Sequence, residues 1–203
     1  MGEMMENSNL GSTDAVMQLL DRIIRTEGSV GNHLDWDSVE ELNGHRFPAD
    51  YKRFISEIGG GSLEAALEIR LPVATSASDV ENRVCRISMA ALTDQLTGRW
   101  VDEEAGYNLE DLIIWGESAG ADTLCWIAAD VDPESWPVAV YDRGELAWAV
   151  YHCGMAEFIL KILVQDFEKC PLSDESLFGM QDPRFLGADA EADLMDRGID
   201  PWA

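Results

Sequence analysis

Hydrophobic residues first recur along this chain at helical spacing. Val16, Leu19, Leu20, Ile23 and Ile24 follow the i, i+3, i+4, i+7, i+8 pattern, after Ser12 or Thr13 as N-cap and before Gly28 as stop. A second, short helix is predicted to carry Trp36, Val39 and Leu42 and to end at Gly44. A third starts at Pro48, which suits the first helical turn, presents Tyr51, Phe54, Ile55 and Ile58 on one face, and stops at Gly59-Gly60-Gly61. The period then changes. Leu67, Ile69 and Leu71 alternate with Glu68 and Arg70, as in a half-buried strand.

Helical spacing returns with Val80, Val84, Ile87, Ala91, Leu92 and Leu96 between Asp79 and Gly98. Four short β-type runs follow, at 112–115, 123–128, 137–141 and 146–151, with Asp142-Arg143-Gly144 as a hairpin turn. Met155, Phe158, Ile159, Ile162 and Leu163 make a strong closing helix. Residues 168–203, with nine acids, three bases and three prolines, read as an acidic, partly ordered tail. Helices, then strands, then a helix predict an α+β domain with N-terminal helices and a twisted antiparallel sheet rather than repeated βαβ units. The chain divides into a leader with its amphipathic helix at 1–32, an α+β domain at 33–167 and the tail at 168–203.

Composition narrows the function. Of 203 residues, 39 are Asp or Glu and 14 Lys or Arg, a formal net charge of −25, yet 46% are apolar, enough for a sizeable core. No basic cluster is present to displace the counterions of a nucleic acid or to meet an anionic membrane surface. No run approaches the length of a spanning helix, and the first ten residues lack the marks of a secretory signal, so a cytoplasmic location is expected. Cys85, Cys125, Cys153 and Cys170 are widely spaced and read as small core hydrophobes; His33, His45 and His152 are equally dispersed. Neither a metal site nor a cofactor is expected from such spacing.

Several segments then fall into a familiar order. Trp36-Asp37-Ser38-Val39-Glu40-Glu41-Leu42-Asn43-Gly44, then Phe47-Pro48-Ala49-Asp50-Tyr51-Lys52-Arg53-Phe54-Ile55 and the triple glycine, resemble the opening of the SUKH superfamily. Leu112 to Gly116, Asp122 to Trp126, Trp136-Pro137-Val138 and Glu157-Phe158-Ile159 are similar to its later strands and closing helix, so the resemblance covers about 33–167. It implies an antiparallel sheet flanked by helices and a non-catalytic role. Members include bacterial immunity proteins that block a cognate toxin and fungal regulators of cell-wall assembly.

One motif argues for an enzyme. Gly116-Glu117-Ser118-Ala119-Gly120 is a G-x-S-x-G after an apolar run, where a serine hydrolase places its nucleophile, and Asp130, Asp132 or Asp142 followed by His152 would complete the order of a triad. Only 33 residues separate Ser118 from His152, too few for an elbow helix and parallel strands with crossovers of about 10 to 12 residues. The motif is therefore expected to be a polar hairpin loop. Asp130-Val131-Asp132-Pro133-Glu134 imitates a calcium loop, but Ser135 and Tyr141 stand where Gly and Glu belong, so an acidic turn is expected. His152 and Cys153 would point to opposite faces of a strand.

The leading expectation is a non-enzymatic immunity protein whose acidic surface occludes a basic toxin, such as a nuclease whose own site holds phosphate, through steered association. An interaction or scaffold regulator is the alternative, and a hydrolase using Ser118 the third. Trp115, Trp126 and Trp148 lie in predicted strands and should be buried, whereas Trp100 and Trp136 are candidate exposed anchors. The expected partner surface is an acidic rim about those two rings: Asp102, Glu103, Glu104, Glu117, Asp122, Asp130, Asp132 and Glu134.

Overall fold

The structure is a computed structural model and describes residues 12–26, 29–73, 83–87, 99–101 and 106–203. Three of its helices arise where the spacing puts them. Helix α1 spans Ser12–Arg22, α2 Trp36–Asn43 and α3 Ala49–Glu57. Helix α1 is shorter than its apolar stripe: Ile24, half exposed, leaves it for a two-residue strand, β1 (Ile24–Arg25). Helix α2 stops where Gly44 turns left-handed (φ 69°) and donates its N–H to the carbonyls of Glu40 and Glu41. Helix α3 buries Tyr51, Phe54, Ile55 and, just past its end, Ile58.

The strands are β2 (Gly61–Leu63), β3 (Leu67–Ile69), β4 (Cys85–Arg86), β5 (Arg99–Trp100), β6 (Leu112–Ser118), β7 (Thr123–Ile127), β8 (Val138–Asp142) and β9 (Ala147–Tyr151). After β9 come α4 (Met155–Leu163), β10 (Arg184–Gly187) and α5 (Ala188–Asp196). Among the described residues they form one sheet in the order β1-β10-β2-β3-β6-β7-β8-β9-β5, with β4 beside β6. The fold is α+β. Its sheet is antiparallel except where β1 meets β10 and β5 meets β9 in parallel.

Alternation decides the two faces. Trp115, Trp126, Val138 and Val140 point into the large core with α1, α3 and α4, where Phe54, Phe158 and Ile159 meet them. Leu112, Cys125, Ile127, Tyr141 and Trp148 occupy the opposite face with Ile87. Asp50, buried in the first turn of α3, ties two helices together: its carboxylate accepts the N–H of Ala156 (2.9 Å) at the start of α4 and that of Tyr51 (2.7 Å). The Tyr51 hydroxyl, also buried, donates to the Arg70 carbonyl at 2.7 Å.

Two sequence expectations are corrected. The helix expected between Asp79 and Gly98 gives way at 85–86 to β4, paired antiparallel with β6. Val84 joins the large core and Ile87 the opposite cluster, so these residues serve two faces of a sheet and not one helical stripe. Val80, Ala91, Leu92 and Leu96 lie outside the described residues. The second correction concerns the acidic tail and the closing helix: α4 is not the last element. Residues 168–203 supply β10, inserted between β1 and β2, and bury Leu172, Leu177, Phe185 and Leu186. The approach is close. A Cβ on Gly61 would stand 2.2 Å from the Leu186 carbonyl oxygen, so only glycine fits opposite β10 there.

Candidate partner-binding surface

The G-x-S-x-G segment is a β-hairpin. Gly116, Glu117 and Ser118 end β6, and Ala119 to Asp122 turn the chain into antiparallel β7. Ser118 is buried, with its hydroxyl donating to Asp122 Oδ2 (2.7 Å) and accepting the Asp122 N–H (3.0 Å). His152 is an exposed residue after β9, and Cys153 is buried. Burial pushes the Cys153 thiol up to about 12, with the nearby Glu157 carboxylate acting the same way, so the thiol stays protonated at neutral pH.

Asp122, fully buried, is a structural hub and not a rim residue. Besides Ser118 it takes the N–H of Arg143 at 3.0 Å and that of Ser173 at 2.7 Å, together with a short bond from the Ser173 hydroxyl. One carboxylate thus joins the β6–β7 turn, the β8–β9 turn and the tail. Each oxygen replaces lost hydration with donors, the condition for burying a charge.

The expected acidic rim is divided by the sheet. Glu117 and Asp122 precede β7, while Asp130, Asp132 and Glu134 follow it, so the groups lie at opposite ends of a five-residue strand about 15 Å long. Glu117 is engaged by Arg70 at 2.7 Å, and Asp102, Glu103 and Glu104 lie outside the described residues. Both aromatic anchors are corrected as well. Trp136 is only 5% exposed; it belongs to the large core, its ring lies against His45, and its indole N–H donates to the Asp130 carbonyl at 2.7 Å. Trp100 is half-buried in β5 against Trp148 and Tyr107, with ring centroids 5.5 and 5.6 Å away.

What survives as a coherent surface is the β7–β8 loop. Asp130 Oδ1 accepts the N–H of Asp132 (2.8 Å), and Asp132 Oδ1 that of Glu134 (3.2 Å), capping a single 3-10 turn at Pro133–Ser135. Glu134 Oε1 reaches across to the N–H of Ala49, at 2.6 Å, at the start of α3. Buried Pro133 and Trp136 hold the base of the loop. Its tip presents Val131, 92% exposed between two aspartates. Alongside runs the Leu109–Asp111 turn, joined through the Ala128 N–H to the Asp111 carbonyl at 2.8 Å, which adds Glu110 and Asp111. The surface expected from sequence included the three loop acids and left out Val131, Glu110 and Asp111. The available signal was a β-branched residue enclosed by Asp130 and Asp132, off any strand period.

This end carries Asp130, Asp132, Glu134, Glu110 and Asp111, with Arg86 beside them donating to the Glu110 carbonyl at 3.2 Å, and hydrogen bonds fix the loop's carboxylates in place. The second oxygens of Asp130 and Asp132 carry no hydrogen bond within the loop. Among the described residues, no helix is long and apolar enough to cross a membrane. No family model, curated protein or solved structure matches the chain.

Proposed function

We propose that this chain is a non-enzymatic binding protein of the SUKH type, a bacterial cytoplasmic immunity protein that neutralises a cognate basic toxin by covering it with acidic surface. The observation that carries the reading is the β7–β8 loop: a hydrogen-bonded platform with an apolar residue exposed at its tip, 92% for Val131, among Asp130, Asp132 and Glu134. Interfaces of this kind place an apolar contact inside a polar rim. A rigid loop loses little conformational freedom on binding. The net charge of −25 supports fast, steered capture of a basic protein. The commitment of the Ser118 hydroxyl to Asp122 supports the non-catalytic part of the reading.

The test is co-expression with the products of the reading frames adjacent to its gene. One product should be toxic alone and harmless with this chain, and the two should co-purify. A toxic neighbour that kills equally with and without the chain would contradict the proposal.

A further inference from the structure

Helix α5 differs from every other helix around the core in how it is held. None of its nine residues is buried, whereas β10 immediately before it buries Phe185 and Leu186. Apolar burial therefore contributes little to seating α5, and a chain of polar contacts takes its place. Glu191 Oε2 accepts the Ser62 hydroxyl at 2.6 Å, and Glu191 Oε1 accepts the indole N–H of Trp202 at 2.8 Å. The Trp202 ring in turn lies 5.5 Å from the Arg184 guanidinium, which also donates to the Trp202 carbonyl at 3.2 Å and is anchored on Glu64 at 3.0 and 3.1 Å.

Closed in this way, Ala188, Asp189 and Ala192 wall a groove of about 220 Å³ over Gly60, Gly61 and Ile69, with Glu68 and Arg70 at its side. The seat is not electrostatically comfortable. Asp189, Glu191, Asp193, Asp196 and Asp200 share residues 188–203 with a single base, Arg197, and Arg70 at the side of the groove is already paired with Glu68 and Glu117. Burial raises the Glu68 carboxyl, Arg70 works against that rise, and the negative charges of Glu117 and Glu191 add to it. The helix also carries its own end: Gly198 turns left-handed (φ 71°), and the Ile199 N–H returns to the Leu194 carbonyl at 3.0 Å. Its stop thus needs nothing from the sheet.

We propose that residues 188–203 form a strap, clasped through Glu191, Trp202 and Arg184, that opens as one unit while β10 stays in the sheet. Open, it bares the Gly60, Gly61 and Ile69 floor of the groove; closed, it walls that floor. This goes beyond the immunity reading and does not depend on it. A nine-residue helix released from its seat frays, so opening is read directly in its amides.

Hydrogen exchange followed by mass spectrometry on the full chain tests the strap. Peptides within 188–199 should exchange at least tenfold faster than those spanning β10 in the wild type. Trp202→Ala and Ser62→Ala should each speed α5 by a further tenfold or so and leave β10 unchanged, whereas Met195→Leu, at an exposed and uncharged position of the same helix outside the clasp, should alter neither. Rates for α5 and β10 within tenfold of each other in the wild type would overturn the proposal. So would clasp variants that speed both elements equally, or neither.

Discussion

The Ser118 hydroxyl donates to the Asp122 carboxylate at 2.7 Å while its oxygen accepts the Asp122 amide at 3.0 Å, a reciprocal clasp across a four-residue turn. A serine nucleophile needs a base to take its proton and donors around the developing oxyanion. Here the proton is held by an acid that is itself saturated by Ser173 and Arg143. Of the motif, Ser118 closes the β6–β7 turn, while Gly116 admits the neighbouring strand, since a Cβ there would stand 2.6 Å from the Glu68 carbonyl oxygen of β3.

A fluorophosphonate probe should therefore leave the folded protein unlabelled. Asp122→Ala should destabilise by about 2–4 kcal/mol, since it removes a charged acceptor and strands several buried donors. Ser118→Ala should cost about 1–2 kcal/mol. Labelling at Ser118 that disappears with His152→Ala would contradict this assignment, and chemical denaturation gives both stability changes.

Phe54, fully buried beneath the sheet, should cost about 3–5 kcal/mol on change to alanine. Lys52, on the same helix, is not idle, because its ammonium meets Glu40 at 2.7 Å and lies 5.9 Å from the Trp36 ring. Both contacts are partly exposed, so Lys52→Ala should cost only about 0.5–1 kcal/mol. Equal losses in urea denaturation would mean that the buried face of α3 has been misassigned.

Two carboxyls should give pH profiles of opposite sign. Bonds from Arg184 hold Glu64 below the ordinary carboxylate range, so its contribution is complete above the unfolded value, near pH 4, and disappears as pH falls through its folded value. Glu64→Gln should thus lower Tm at neutral pH and match the wild type near pH 2. Burial raises Asp50 despite the N–H bonds from Ala156 and Tyr51. The folded state then holds its proton more tightly, and stability declines as pH climbs from about 4 through the folded value. Asp50→Asn, which retains an acceptor for Ala156, should remove that decline and gain on the wild type toward neutral pH. Parallel Tm–pH curves for both variants and the wild type would refute these assignments.

Much of the fold is legible in local periodicity. Helix α3 reads out because Tyr51, Phe54, Ile55 and Ile58 share one stripe between Pro48 and the glycines, and β6 to β9 because each is a short apolar run between turn residues. Strand β10 is different. Arg184–Gly187 has too few residues to establish a period, and its place between β1 and β2 is fixed by partners more than a hundred positions away. The acidic surface failed for a related reason. Glu117 and Asp130 are close in sequence, but a strand between them sends their loops to opposite ends of the sheet. Burial of Trp136 was equally hidden, since His45, whose ring packs against it, comes from the α2–α3 connection.

The central claim is that the β7–β8 loop docks a basic protein partner, and binding kinetics of a protein that co-purifies with the chain, measured across a range of salt, test it most directly. Asp130→Asn, Asp132→Asn and Glu134→Gln together keep the loop's acceptors and remove three charges. The account predicts slower association, by about tenfold at low salt, with the deficit shrinking as salt rises, and faster dissociation for Val131→Ala. Wild-type association and dissociation rates in both variants would contradict it.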